Sequence, residues 1–180
     1  MDWSTIITIV LGSSVLGAAL NSLLGWLTKR ADRTSQATYM ALNLSHLFEK
    51  YAYVCLSALE SHDAAEIFRE EIGAYIKKVP DFPELPDYEY QVFDLVILDK
   101  VFDFPQQVNF AAESLSSAFE ILDGQDALWE GYKSCLELAS EALAIADEIR
   151  QRYRLKTRSL SFGRYSVRGR ISERVSEMNS

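Results

Sequence analysis

Few side chains in this chain of 180 residues could perform acid–base, nucleophilic or metal chemistry. His46 and His62 are the only histidines, and neither stands in an HExxH or zinc-finger spacing. Cys55 lies on the same predicted helix as His46 but two and a half turns away, too far for a nucleophile–base pair. His62, Asp63 and Glu66 loosely imitate a metal cluster, although carboxylates more commonly gather at a helix N-terminus because of the helix dipole. No GxSxG, P-loop or dinucleotide-binding pattern occurs, so the sequence predicts no catalytic residues, no metal site and no cofactor.

The elements that would position these side chains are predicted to be helices. Apolar residues recur at steps of three and four from Ala37 to Ala58, which indicates an amphipathic helix, and Asp63 with Glu66 resembles a capping box that begins a shorter one. Residues 79–90 hold three of the four prolines and are expected to form an extended connector whose aromatic side chains lie against the helices.

Three further segments complete the predicted bundle. Residues 93–102 fit a helix or a strand, and the helical context favours a helix. Pro105 suits a first helical position of the next segment, Asp123-Gly124 its end, and residues 128–153 carry the most regular apolar stripe. We therefore expect an all-α fold, with an acidic helical bundle over residues 29–155.

An uncharged run precedes the bundle. Residues 3–28 carry no charge, and the length of this run exceeds the roughly 18 residues at which an apolar run becomes a candidate transmembrane helix. In a helix, Trp3 and Trp26 would lie about 35 Å apart, a separation suited to the two faces of a bilayer. The sequence thus predicts a single-pass transmembrane anchor over residues 1–28, with these tryptophans at the membrane interface.

Three positive charges, Lys29, Arg30 and Arg33, follow this run at once and complete the predicted interface. Short positive flanks are retained in the cytoplasm, which predicts an inner-membrane protein with its N-terminus outside and the bundle in the cytoplasm. A cleaved signal peptide is the rival interpretation, but such peptides begin with a positive region, whereas this chain begins Met1-Asp2.

One face of the predicted span is rich in small residues and contains a polar amide. Small residues let two helices approach closely, and an amide in lipid seeks a hydrogen-bonding partner. This face predicts self-association into a homo-oligomer, against the alternative of a monomeric anchor. The residues expected to carry the contact are Ser14, Gly17, Ala18, Asn21 and Gly25.

Charge is strongly segregated beyond the anchor. Residues 34–149 hold 22 acidic and 6 basic side chains, a balance of −16, and residues 150–180 hold 9 basic and 2 acidic side chains, a balance of +7. Residues 156–180 show no helical stripe, so a flexible, disordered basic tail is expected. We expect it to contact an anionic leaflet or an acidic bundle, with RNA as a less favoured partner. The expected contact residues are Arg158, Arg164, Arg168 and Arg170.

The anchor with its Lys-Arg collar, the run beginning at Tyr39, the Pro80–Pro83 connector and the Glu148–Tyr153 end resemble a family of small uncharacterised bacterial single-span proteins. The resemblance covers roughly residues 1–155 and implies a bacterial, membrane-anchored helical domain. It implies no activity and no site residues.

In a reducing cytoplasm, Cys55 and Cys135 are expected to be buried thiols.

These observations favour a non-enzymatic, membrane-anchored helical scaffold or regulator that self-associates and recruits a protein partner. Two alternatives stay open. One is an oligomeric effector that perturbs the membrane, for example in phage defence. The other is a degenerate HEPN-like protein acting on RNA, since neither His46 nor His62 has the arginine a few residues upstream that this family uses for ribonuclease chemistry.

Overall fold

The computed structural model describes the backbone of residues 3–69 and 73–179, and side chains within 21–69 and 73–179. Within these ranges the chain is mostly helical, as predicted, with one short hairpin. The elements in chain order are α1 (Trp3–Phe68), a 3₁₀ turn (Tyr90–Val92), α2 (Leu95–Ile121), α3 (Gly124–Arg152), β1 (Ser161–Phe162), β2 (Tyr165–Ser166) and α4 (Val167–Met178). Helices α1, α2 and α3 enclose one hydrophobic core, and α4 packs on α3 and α1.

Helix α1 extends further toward the C-terminus than the sequence pattern predicts. The capping box expected at Asp63 does not begin a new helix, because α1 continues through it to Phe68. Neither glycine nor proline stands between Trp26 and Phe68 to interrupt it. Asp63 instead accepts a hydrogen bond from Arg174 of α4. A single helix therefore joins the N-terminal apolar run directly to the bundle.

Residues 73–89, which include most of the predicted connector, contain neither helix nor strand and run back along α1. This segment begins near Gly73, where φ is +150° and a Cβ would lie 2.5 Å from the Ser61 carbonyl oxygen. The Tyr51 hydroxyl donates to the Pro80 carbonyl at 3.0 Å, and the Asn43 amide donates to the hydroxyl of a connector tyrosine, Tyr88, at 2.8 Å. Apolar side chains of the connector pack on the core as expected; these are Phe82, Leu85, Tyr88 and Tyr90.

Pro105 does not begin a helix, contrary to the prediction from its sequence position. It lies inside α2, which starts earlier because the Asp94 carboxylate accepts hydrogen bonds from the backbone N–H groups of Val96 and Ile97. A proline inside a helix removes one backbone hydrogen bond. Phe104 and Val108 on either side of Pro105 are buried in the core, and their packing keeps the chain helical despite the missing hydrogen bond.

The prediction of a disordered tail is wrong for residues 161–178. Strands β1 and β2 pair in antiparallel register, and α4 follows with the Ser166 hydroxyl accepting from the Gly169 N–H at its start. Val167 and Ile171 are buried against the bundle. The signal was present in the sequence, since apolar residues recur at 167, 171, 175 and 178, steps of four, four and three.

Within the part of the chain that the structure describes, no helix has a stretch both long and apolar enough to cross a membrane. The side chains of Trp3, Ser14, Gly17 and Ala18 lie outside the described residues. The transmembrane anchor and its association face therefore stay predictions.

Candidate functional site

A buried carboxylate, Glu49 of α1, lies at the centre of a cluster of charged side chains. Its side chain is only 2% exposed. The Arg150 guanidinium of α3 donates from Nε to Oε1 at 2.7 Å and from Nη2 to Oε2 at 3.1 Å. The other Arg150 Nη donates to the Lys156 carbonyl at 2.9 Å, which attaches the start of the C-terminal segment to the same cluster.

Two arginines of the C-terminal segment reach the same carboxylate. Arg168 lies 3.8 Å from Glu49 Oε1 and binds the Asp147 carboxylate through both terminal nitrogens. Its Nε donates to the Arg158 carbonyl at 3.0 Å. Arg158 itself lies 3.7 Å from Glu49 Oε2. The buried charge is thus compensated by three guanidinium groups, one at the end of α3 and two from the segment that follows it, as a buried charge requires.

His46, one turn before Glu49, faces the Arg158 guanidinium. The Arg158 Nη1 lies 2.7 Å from His46 Nδ1, so the imidazole accepts this hydrogen bond and is neutral. Burial, followed by the positive charge of Arg158, lowers the pKa of His46, while the Glu49 carboxylate acts in the opposite direction. Sequence spacing alone gave no reason to pair this histidine with an arginine 112 residues away.

The C-terminal segment lies against α1 beside this cluster, and the two border an open pocket of about 460 Å³. Helix α1 supplies one wall and the segment from Arg158 to Val167 supplies the other. Positive and aromatic side chains share the lining, which includes His46, Lys50, Tyr53, Arg158, Phe162 and Tyr165. We refer to it as the hairpin pocket.

Basic residues that were predicted to contact a partner lie close to carboxylates of the chain itself. Arg170 lies 3.5 Å from Glu60, and Tyr165 donates to the same carboxylate at 3.3 Å. Together with the contacts of Arg158 and Arg168, this places three of the four predicted basic residues on carboxylates of the acidic bundle. Arg164 lies at the hairpin turn and is exposed.

The second histidine lies in a separate, apolar setting. His62 is buried between the rings of Tyr75 and Tyr132, each with its centroid 5.3 Å away. Its Nδ1 accepts the Ile76 backbone N–H at 3.3 Å, and Glu66 lies 3.8 Å from Nε2. Among the described residues no group of three or more His, Cys, Asp or Glu side chains could hold a metal ion.

Cys55 and Cys135 are both buried and free, as the sequence predicts. A hydrogen bond with the Cys55 thiol, together with burial, raises the pKa of Cys135. A thiol that resists ionisation is a poor nucleophile, so Cys135 contributes to packing.

The predicted interface residues that the structure describes lie on the part of α1 that projects from the bundle. Residues 21–36 of this projection are almost all exposed. The Arg30 guanidinium lies 5.3 Å from the centre of the Trp26 ring, a cation–π contact. Lys29 and Arg33 are exposed on the same projection, as is Asn21 of the predicted association face. Gly25 is half-buried, and a Cβ added there would meet nothing within 4 Å.

Comparison with protein-family models, with curated proteins and with solved structures finds no match to this chain.

Proposed function

We propose that this protein is a non-enzymatic, inner-membrane-anchored helical scaffold or regulator. In this proposal, the N-terminal part of α1 spans the membrane and self-associates, and the bundle recruits a protein partner in the cytoplasm. The observation that supports it is the projection of α1. Large apolar side chains there are about half exposed, namely Leu23, Leu24, Trp26 and Leu27.

The exposed apolar side chains of this projection need a surface outside the bundle to pack against. Exposed apolar area costs about 25 cal/mol for each Å² left in water, and a contiguous apolar patch usually marks a membrane or protein contact. The apolar run of residues 6–27 continues directly into this region, and Lys29, Arg30 and Arg33 follow at the point where lipid headgroups would lie. In the proposal, a lipid bilayer and neighbouring copies of the same helix cover the apolar side chains, and lipid headgroups contact the positive ones.

The continuity of α1 gives this arrangement a mechanical consequence. Because the helix is unbroken from Trp3 to Phe68, association of two spans would bring two bundles side by side in a defined orientation. A rigid connection of this kind suits a scaffold, since it converts assembly in the membrane into a fixed spacing of cytoplasmic surfaces.

Topology is tested with a reporter that is active only in the periplasm, fused after Ser180. The proposal predicts a silent reporter and a membrane-bound fusion. A cytoplasm-dependent reporter at the same position serves as the control for expression. Periplasmic activity, or recovery of the chain without membranes, would contradict the proposal.

Self-association is tested with Gly17→Leu and Asn21→Leu, which enlarge or remove groups on the predicted association face. Both should shift the detergent-solubilised protein toward monomer. Ala19→Leu provides the matched control, because residue 19 lies on the opposite face of a helix with 3.6 residues per turn. If all three variants kept the oligomer size of the wild-type protein, assembly would be assigned to the bundle. If the wild-type protein were itself a monomer, self-association would be excluded. Cell leakage on overproduction would instead favour the membrane-perturbing effector.

A further inference from the structure

The hairpin pocket has a surplus of positive charge. Its lining holds two cationic side chains, Lys50 and Arg158, and one carboxylate, Glu49. Glu49 is already satisfied by the two shorter hydrogen bonds from Arg150, and Arg168 is held by Asp147. Lys50 is exposed, and Arg158 is half exposed with a long contact of 3.7 Å to Glu49, so both side chains can still donate to an anion that enters the pocket.

His46 adds a directional polar group to the same wall. Because a guanidinium can only donate, the neutral His46 ring accepts the hydrogen bond from Arg158. The Arg158–His46 contact also orients the guanidinium, and an oriented guanidinium binds phosphate oxygens with less loss of conformational entropy than a free one.

Aromatic side chains form the other part of the lining. Phe162 is 90% exposed at the end of β1, and Tyr53 is about half exposed on α1. A phenylalanine held in water by a two-residue strand contributes nothing to the core of this protein. An exposed ring beside two cations is the arrangement with which proteins stack a nucleobase while binding its phosphate.

We propose that the hairpin pocket binds a nucleoside monophosphate. The phosphate lies against Lys50 and Arg158, and the base stacks on Phe162 with Tyr53 on the facing wall. The pocket volume of about 460 Å³ is within the range of small-molecule sites. This inference does not depend on the membrane anchor or on self-association.

The first experiment measures binding by calorimetry to the full chain in detergent. AMP, GMP, CMP and UMP serve as nucleotide probes, with adenosine and inorganic phosphate as fragments. At least one nucleotide should bind, more weakly at high salt, and each fragment should bind roughly tenfold or more weakly than the best nucleotide. Absence of binding by all four nucleotides would overturn the proposal, as would equal affinity for inorganic phosphate.

Variants then locate the site. Lys50→Gln and Phe162→Ala should each weaken nucleotide binding roughly tenfold, since each removes one of the two proposed contacts. The matched controls are Arg164→Gln, a basic residue of the same hairpin outside the pocket lining, and Phe110→Ala, an exposed phenylalanine on α2. Equal losses in the controls would place binding elsewhere.

Two further readouts distinguish nucleotide binding in the hairpin pocket from misfolding and from RNA binding. Circular dichroism of each variant checks that folding is unchanged, which is expected because Lys50 and Phe162 are exposed. A 5′-phosphorylated oligoribonucleotide that competes far more strongly than any mononucleotide would overturn the small-ligand assignment in favour of RNA. Oligomer size measured on the same samples tests the scaffold proposal independently. Failure of the nucleotide-binding proposal is therefore distinguishable from failure of the scaffold proposal.

Discussion

Glu49 and Arg150 form a buried ion pair with two hydrogen bonds between residues that are 101 positions apart in the chain. The two side chains are 2% and 3% exposed. This pair joins α1 to α3, and through the Lys156 carbonyl and Arg168 it also fixes the C-terminal segment to both helices. The wall of the hairpin pocket therefore depends on a contact in the bundle interior.

Replacement of Glu49 by glutamine should destabilise the protein strongly. It leaves the Arg150 guanidinium buried without a counter-charge, a change that typically costs about 3–5 kcal/mol. Chemical denaturation monitored by circular dichroism measures the loss in the free energy of unfolding. Glu148→Gln is the control, because Glu148 pairs with Lys100 at an exposed site and should cost less than about 1 kcal/mol. Equal effects of the two variants would contradict the assigned role of Glu49.

Gly131→Ala should destabilise the bundle although alanine is the better helix former. A Cβ at this position would lie 2.7 Å from the Ile76 carbonyl oxygen and 3.3 Å from Leu115 Cδ1, so backbone must move. Overpacking of this kind costs about 1–3 kcal/mol. Gly169→Ala in α4 meets only ordinary contacts at 3.4 Å and should stabilise by up to about 1 kcal/mol. Thermal unfolding of both variants checks the opposite signs.

Asp123 should matter more than Asp126 for the start of α3. The Asp123 carboxylate accepts hydrogen bonds from the Gln125 and Asp126 backbone N–H groups, so Asp123→Ala should cost about 1 kcal/mol. Asp126 acts only through its charge in the first turn, and Asp126→Ala should cost about half as much or less. The free energies of unfolding of the two variants, measured side by side, test this order. A larger loss for Asp126→Ala would show that the cap lies there.

Stability should fall as the pH is lowered through the range in which His46 titrates. Its pKa in the folded protein is lowered from 6.5 by burial and Arg158, so the unfolded chain takes up a proton first. The stabilising contribution is complete above the unfolded pKa and is lost as the pH falls from that value toward the folded pKa. His46→Gln should make the free energy of unfolding less dependent on pH over this window. His62 is present in both proteins, so an unchanged slope would show that His46 does not contribute.

Local pattern was sufficient for several elements. The stripe of α3 predicted a helix over residues 128–153, and the prolines of residues 79–90 predicted the extended connector, because both signals act over a few neighbouring residues. The burial of Cys55 and Cys135 followed in the same way from their positions on apolar faces. The boundaries at Asp63 and Pro105 were wrong, since each residue resembles a helix start locally but lies inside a longer helix.

The sequence by itself determined the helical class, the acidic body, the basic C-terminal segment and the absence of familiar catalytic spacings. Only the tertiary structure decided that Arg158 lies close to Glu49, that Arg168 binds Asp147, and that His46 contacts Arg158 at the hairpin pocket. These pairings join residues from 21 to 112 positions apart. The charge composition predicts that the basic C-terminal segment is attracted to the acidic body. The partner of each arginine, however, depends on how the helices pack and on the cost of leaving a buried carboxylate unpaired.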